Sequence, residues 1–253
     1  METPIMRRTP TFFAPLLLGL AVSACGENSP GSRAETSPAV SAPAKGVPPR
    51  VAPPATAAAA AAPSAAQDGL QGGSDDWRQV ASAADASLLG RLDQAWRMAR
   101  AEAEAAGFAS EVEALGPLVD PNAGLPDRLQ PPPGAYRCRT IKLGRRGEGT
   151  GLAYVDYPWF ACSVETTPGG DLVLTKKTGS QRTQGLLYPD TDRRLVYIGA
   201  QALSDAETGF PAYGDRPERD QVGVLERIGQ SRWRLVLPWP KQEAKLELLE
   251  IRT

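Results

Sequence analysis

Three observations predict a mainly β fold: a small antiparallel barrel of about eight strands, with an N-terminal amphipathic helix packed on it. From residue 134 onward, short runs rich in β-branched and aromatic residues recur at even spacing, the pattern of half-buried strands. Turn-forming clusters separate them, at Pro168-Gly169-Gly170, Thr178-Gly179-Ser180, Pro189-Asp190-Thr191-Asp192 and Gly229-Gln230-Ser231. Ahead of them, apolar residues from Trp77 to Ala103 repeat at gaps of three and four, which sets them on one helix face. Connections this short make successive strands antiparallel neighbours. Strands so spaced build a sandwich or a closed barrel; with one helix laid across, the small barrel is expected.

The chain reads in four parts: 1–24, 25–73, 74–133 and 134–253. In the first, Arg7-Arg8 precede a short apolar run from Phe12 to Val22 that Pro15 interrupts. A membrane-crossing helix needs about 20 apolar residues, so the run fits the apolar region of a signal peptide. It ends in Leu20-Ala21-Val22-Ser23-Ala24-Cys25, which resembles the bacterial lipobox, whose cysteine is acylated and becomes the new N-terminus. A plain signal peptide with an unmodified Cys25 is the alternative. In lipoproteins of this type an Asp after the cysteine commonly signals inner-membrane retention. Here the residue is Gly26, which favours the outer membrane.

Residues 25–73 are dominated by Pro, Ala, Ser, Gly and Thr. Such a stretch buries too little apolar surface to offset its ordering entropy, so a disordered linker is expected, spanning roughly 40 Å as a flexible coil. Ser74-Asp75-Asp76-Trp77 reads as a helix start, with a capping side chain and acidic first turn. The predicted stripe is Trp77, Ala81, Ala84, Leu88, Leu92, Trp96, Ala99 and Ala103, with Gly107 as the stop and a second short helix near 110–115. Its tryptophans are expected to pack on the β domain rather than line a binding groove.

Strands are predicted at 135–143, 153–165, 171–177, 181–188, 194–200, 221–228, 232–237 and 245–251, with a long polar loop before the sixth. Trp233, Leu235 and Leu237 alternate onto one face, as do Val222, Val224 and Ile228. Cys138 and Cys162 fall in the first hairpin. In an oxidising compartment two cysteines left after lipidation are expected to form a disulfide. A redox dithiol lacks its usual C-x-x-C spacing.

The sequence holds 28 basic residues, 29 acidic residues and no histidine. Near-zero net charge gives no bulk attraction to nucleic acid. Without histidine, neither a Ser-His-Asp nor a Cys-His arrangement can be built, and the commonest metal ligand is missing. No phosphate-binding glycine motif is present, and neither cofactor nor metal is expected. Asp190, Asp192, Asp205, Glu207, Asp215 and Asp220 fall in predicted loops and read as solvated turn carboxylates, though an acid pair for hydrolysis is one alternative. Arg137, Arg139 and Arg182 carry the local positive charge, in a basic cluster with Lys142, Arg145 and Arg146 on the first strand and its loop and with Lys176, Lys177, Arg193 and Arg194 expected close by. They read either as an anion-binding face or as internal ion pairs with the loop 204–220 or with Glu226.

The runs Tyr136-Arg137-Cys138-Arg139-Thr140-Ile141-Lys142-Leu143-Gly144, Thr178-Gly179-Ser180-Gln181-Arg182, Leu187-Tyr188-Pro189-Asp190, Arg219-Asp220, Glu226-Arg227-Ile228-Gly229 and Arg232-Trp233-Arg234-Leu235-Val236-Leu237-Pro238 resemble the bacterial domain-of-unknown-function 4893 family, over about residues 77–251. The resemblance implies an exported bacterial protein and assigns no activity and no functional residue. In architecture alone the expected barrel is similar to the small periplasmic inhibitors of metalloproteases, also eight-stranded with a disulfide near the start; a fold likeness does not make a site. The expectation is therefore a non-enzymatic envelope lipoprotein. It would be outer-membrane anchored through Cys25, with a periplasmic β domain that meets an envelope protein or an acidic ligand. A protease inhibitor is the second reading and a carboxylate hydrolase the third.

Overall fold

The computed structural model describes residues 75–147, 149 and 151–253. The predicted signal peptide, Cys25 and the linker lie outside the described residues. Nine strands follow a helical segment: β1 (Gly134–Arg145), β2 (Tyr154–Asp156), β3 (Phe160–Thr166), β4 (Leu172–Lys176), β5 (Arg182–Pro189), β6 (Arg194–Ala202), β7 (Asp220–Gly229), β8 (Arg232–Pro238) and β9 (Ala244–Arg252). Each strand from β3 onward pairs antiparallel with the next, and β9 pairs back onto β1, so the sheet has no open seam. Short β2 and the longer β3 share the other edge of β1. They pair with Ile141–Leu143 and with Gly134–Cys138 respectively. Together they occupy one position of an eight-stranded antiparallel barrel.

The single strand predicted over 153–165 is thus two. Pro158, in Tyr157-Pro158-Trp159, has no N–H to give the ladder. Tyr157 still donates to the Thr140 carbonyl at 3.0 Å, and the chain rejoins the sheet at Phe160. The other strands match their predicted spans to within about two residues at either end, and the turns between them are those expected.

Side chains sort by alternation into two buried clusters. One draws on every strand position of the barrel: Cys138, Cys162, Leu174, Leu187, Tyr197, Leu225, Trp233, Leu235, Leu237, Leu249 and Ile251 among them. Only the lumen is reached from all eight positions, so this is the inside. The other gathers the opposite parity, such as Ile141, Leu143, Val196, Val224, Val236 and Leu248, with Trp77, Trp96, Ala99, Ala103, Val112 and Leu118 from the helical segment.

The long helix expected from Trp77 is broken into α1 (Trp77–Val80), α2 (Ala83–Leu89) and α3 (Leu92–Ala103). The chain turns extended at Ala81, where ψ is 136°, and Ser82 caps a new start by accepting from the Asp85 N–H. A π turn, Glu104–Phe108, carries Gly107 at φ 96°, so Gly107 kinks the chain where a stop was expected. Then α4 (Ala109–Ala114) and a 3-10 turn, Gly116–Leu118, lead to the connection. The break shifts the phase of the stripe: Ala84 is exposed and Asp85 buried, while Trp96, Ala99 and Ala103 remain buried. At Gly144, with φ of +68°, an added Cβ would stand 2.8 Å from the Ala99 Cα. Only glycine permits that approach of backbone to backbone. Glu102 receives Lys245 and, at 3.2 Å, Arg145.

Cys138 on β1 and Cys162 on β3 form a disulfide inside the barrel, with Cα atoms 5.9 Å apart and a separation of 24 positions in sequence. Chain-entropy reasoning gives such a loop about 3–3.5 kcal/mol of stabilisation. Replacing both cysteines by alanine should lower the urea midpoint by a corresponding amount. An unchanged midpoint would show that the bridge adds nothing.

Candidate functional site

The lumen is divided along its length. Its lower half is apolar, from Tyr136 and Trp233 to Leu174 and Leu249. Further along the same inward positions the residues become polar: Thr140 and Lys142 on β1, Lys176 on β4, Thr183 on β5, Gln221 on β7 and Glu247 on β9, all buried. Tyr197 shares a hydrogen bond with Thr183, whose hydroxyl also meets Gln221 Oε1. Burial pushes the Tyr197 phenol well above its usual pKa, so it stays a neutral hydrogen-bonding group.

Above this layer lies a cavity of about 190 Å³, lined by Lys142, Tyr157, Phe160, Lys176, Gln181, Glu243 and Glu247 among others. Lys142 and Glu247 face each other across the β1–β9 register. Lys142 Nζ donates to Gln181 Oε1 at 2.5 Å and to Glu243 Oε2 at 2.6 Å. It stands 3.8 Å from Glu247 Oε2, too far for a hydrogen bond. Burial works against the Lys142 charge, but Glu247 and Glu243 outweigh it and raise the pKa. Lys176 has no such company. Its Nζ donates to the carbonyls of Gln181 at 2.6 Å and Thr178 at 3.1 Å and sits 4.0 Å from the Phe160 ring centre. Burial drives its pKa down to about 8; Glu247 resists the shift, and Lys142 and Arg182 add to it. Glu247 is pushed up by burial, against the pull of Lys142 and then Lys176, and its Oε2 has no hydrogen-bond partner.

The arginines singled out in the sequence fall in two places. Arg137 and Arg139 share the outer face of β1, where their guanidinium carbons lie 4.6 and 5.2 Å from the Trp159 ring centre. Arg139 is paired internally, with Glu250 at 2.7 Å and Asp156 at 2.9 Å. Those partners are not the acidic loop or the Glu226 considered from sequence. The fully buried Glu250 carboxylate also takes Arg232 at 2.6 Å. Burial alone would raise its pKa, but hydrogen bonds from Arg139 and Arg252 hold it low. Arg182 stands apart from them, with β3 and β4 between. It reaches the loop 204–220, but through the backbone carbonyls of Ser204, at 3.1 Å, and Glu207 rather than through a carboxylate. Glu226 does pair across strands, with Arg234 at 2.7 Å.

Of the loop carboxylates, Asp190 is not solvated. It is held by Trp77 Nε1 at 2.9 Å and Arg194 at 2.7 Å. Asp220 accepts from the Gly214 N–H at 3.0 Å and is buried. Glu207 pairs with Arg219. Among the described residues no group of three or more Cys, Asp or Glu could hold a metal ion.

Sequence reasoning counted Lys142 and Lys176 in a surface basic cluster and passed over Glu247. The available signal was parity: Lys142 follows Cys138 by four positions and Glu247 precedes Leu249 by two, so all point into the lumen. At the opposite end a larger hollow of about 650 Å³ is lined by Leu129, Pro132, Leu195, Arg227 and Trp233 among others. Among the described residues the unpartnered buried side-chain atoms belong to Arg182, Arg234 and Glu247, and none of these three lines that hollow. The chemically unsatisfied end is the lysine end.

No curated protein and no solved structure matches the chain. The family described as "Domain of unknown function (DUF4893)" matches residues 77–251, well over half of the chain and the helical segment and barrel together. The chain therefore belongs to the DUF4893 family.

Proposed function

We propose that this chain is a lipid-anchored protein of the bacterial envelope whose barrel serves as a non-enzymatic binding module, with the lysine-lined end as its recognition site. One observation carries the binding role: Glu247 lines an open cavity, and its buried Oε2 has no hydrogen-bond donor. An unmet polar atom in a dry wall costs about 1–3 kcal/mol, which a bound molecule can recover. The absence of histidine from the sequence favours binding over acid–base or nucleophilic chemistry. The lipobox ending at Cys25, the following Gly26 and the long linker support an outer-membrane anchor with the barrel held in the periplasm. Helix α3, amphipathic and close to β1 at Ala99, acts in this reading as a fixed brace of the module.

Two measurements test it. Cys25→Ala should release the protein from the membrane fraction and abolish incorporation of labelled palmitate; retention in membranes would refute the anchor. Crosslinking in intact envelopes, followed by recovery of the protein, should yield a specific small ligand or partner. Recovery of an envelope protease whose activity the barrel blocks would replace this reading with an inhibitor.

A further inference from the structure

Two deficits of opposite sign face the same cavity. Glu247 Oε2 lacks a donor, and the whole side chain is only 8% exposed. Lys176, 5% exposed, has only neutral acceptors: two carbonyls and the face of a phenyl ring. Among the described residues no carboxylate comes within ion-pair distance of its ammonium, whose only opposing charge, on Glu247 and Asp205, acts at longer range. Glu247 and Lys176 both line the cavity and form no ion pair with each other. Lys142 cannot serve both, since its hydrogen bonds go to Gln181 and Glu243.

These deficits restrict what can enter. An anion alone would answer Lys176 but would set a second negative charge against Glu247. A cation alone would answer Glu247 but would sit beside Lys142 and Lys176. In a buried site either mismatch is costly. A molecule carrying both charges on one short skeleton removes both deficits and leaves the site's charge balance unchanged. Size points the same way: about 190 Å³ is below the 300–1,000 Å³ typical of pockets for larger organic ligands.

We propose that this end of the barrel binds a free amino acid as its zwitterion, with the ammonium on the Glu247 carboxylate and the carboxylate on Lys176 Nζ. The assignment rests on the binding-module reading above and names its ligand class. Gln181, which bridges Lys142 and the Glu243 carboxylate, lines the same cavity.

The test is calorimetric titration of the full chain in detergent with L-alanine, sodium acetate, methylammonium chloride and glucose as probes. Alanine should bind saturably, with acetate and methylammonium each at least tenfold weaker. Glu247→Gln, nearly isosteric, should weaken alanine at least tenfold and, by removing the opposing charge, tighten acetate; Lys176→Met should weaken both. Near-UV circular dichroism reports whether each variant is folded, and competition among the probes on the unaltered protein gives the same ranking without any variant. Acetate binding as tightly as alanine, or tighter binding of glucose, would overturn the amino-acid assignment while leaving a binding module. If no probe binds, the assignment falls; if crosslinking also recovers nothing, the module reading falls with it.

Discussion

Replacing Arg234 with alanine is expected to destabilise the fold by about 3–5 kcal/mol, the usual penalty for removing one member of a buried ion pair. Arg234 has no solvent exposure. Its Nε meets Glu226 at 2.7 Å, and its Nη1 meets the carbonyls of Pro117, Leu118 and Asp120 at 2.9, 3.0 and 2.6 Å. Its guanidinium lies 5.1 Å from the Trp96 ring centre. One side chain therefore ties β8 to the end of the helical segment, and truncation would orphan a carboxylate and three carbonyls together. Arg234→Met with Glu226→Gln removes both charges while keeping most of the volume, and should cost less than Arg234→Ala alone. Urea unfolding of the three proteins decides the matter. A loss under about 1 kcal/mol for the alanine variant, the scale of an exposed pair, would show that the pair is not structural.

The second large effect is steric. A Cβ at Gly199 would stand 2.1 Å from the Gln184 carbonyl oxygen, 2.6 Å from the Gly185 Cα and 2.6 Å from Tyr197 Oη. Two of those three are backbone atoms of the neighbouring strand, so no rotamer change relieves them. Gly199→Ala must part β5 from β6 and displace the buried tyrosine, and its cost should reach or exceed the upper end of the ~1–3 kcal/mol usual for overpacking. Gly209, in the loop before β7, is the control: a Cβ there meets nothing within 4 Å, and Gly209→Ala should stay within about 0.5 kcal/mol of the parent. Equal stability of the two variants would refute the crowding argument.

Much of the barrel was legible because the period of two is hard to disguise. Val222, Val224 and Ile228 or Trp233, Leu235 and Leu237 can be assigned to faces from spacing alone, and the structure puts the two sets on opposite sides of the sheet. Which strands meet to close it was not legible at that level, since the β1–β9 pairing joins residues about a hundred positions apart. The helix break at Ala81 and Ser82 hid behind gaps of three and four that a continuous helix would also produce. The lysine site was hidden for an energetic reason. A lysine beside Arg137 and Arg139 reads as surface because burying an unpaired ammonium is prohibitive. What makes Lys142 tolerable is Glu247 and Glu243, on a strand and turn that only the closed fold brings near.

The seam between β1 and β9 carries a consequence for how the molecule comes into being. The first strand waits for the last, so the barrel cannot zip shut until the C-terminal residues have emerged, and contacts of such high order fold slowly. Both cysteines are in hand long before then. The covalent staple can therefore be set while the nascent sheet is still an open arc, and clipping the final strand would leave the first one with a bare, adhesive edge.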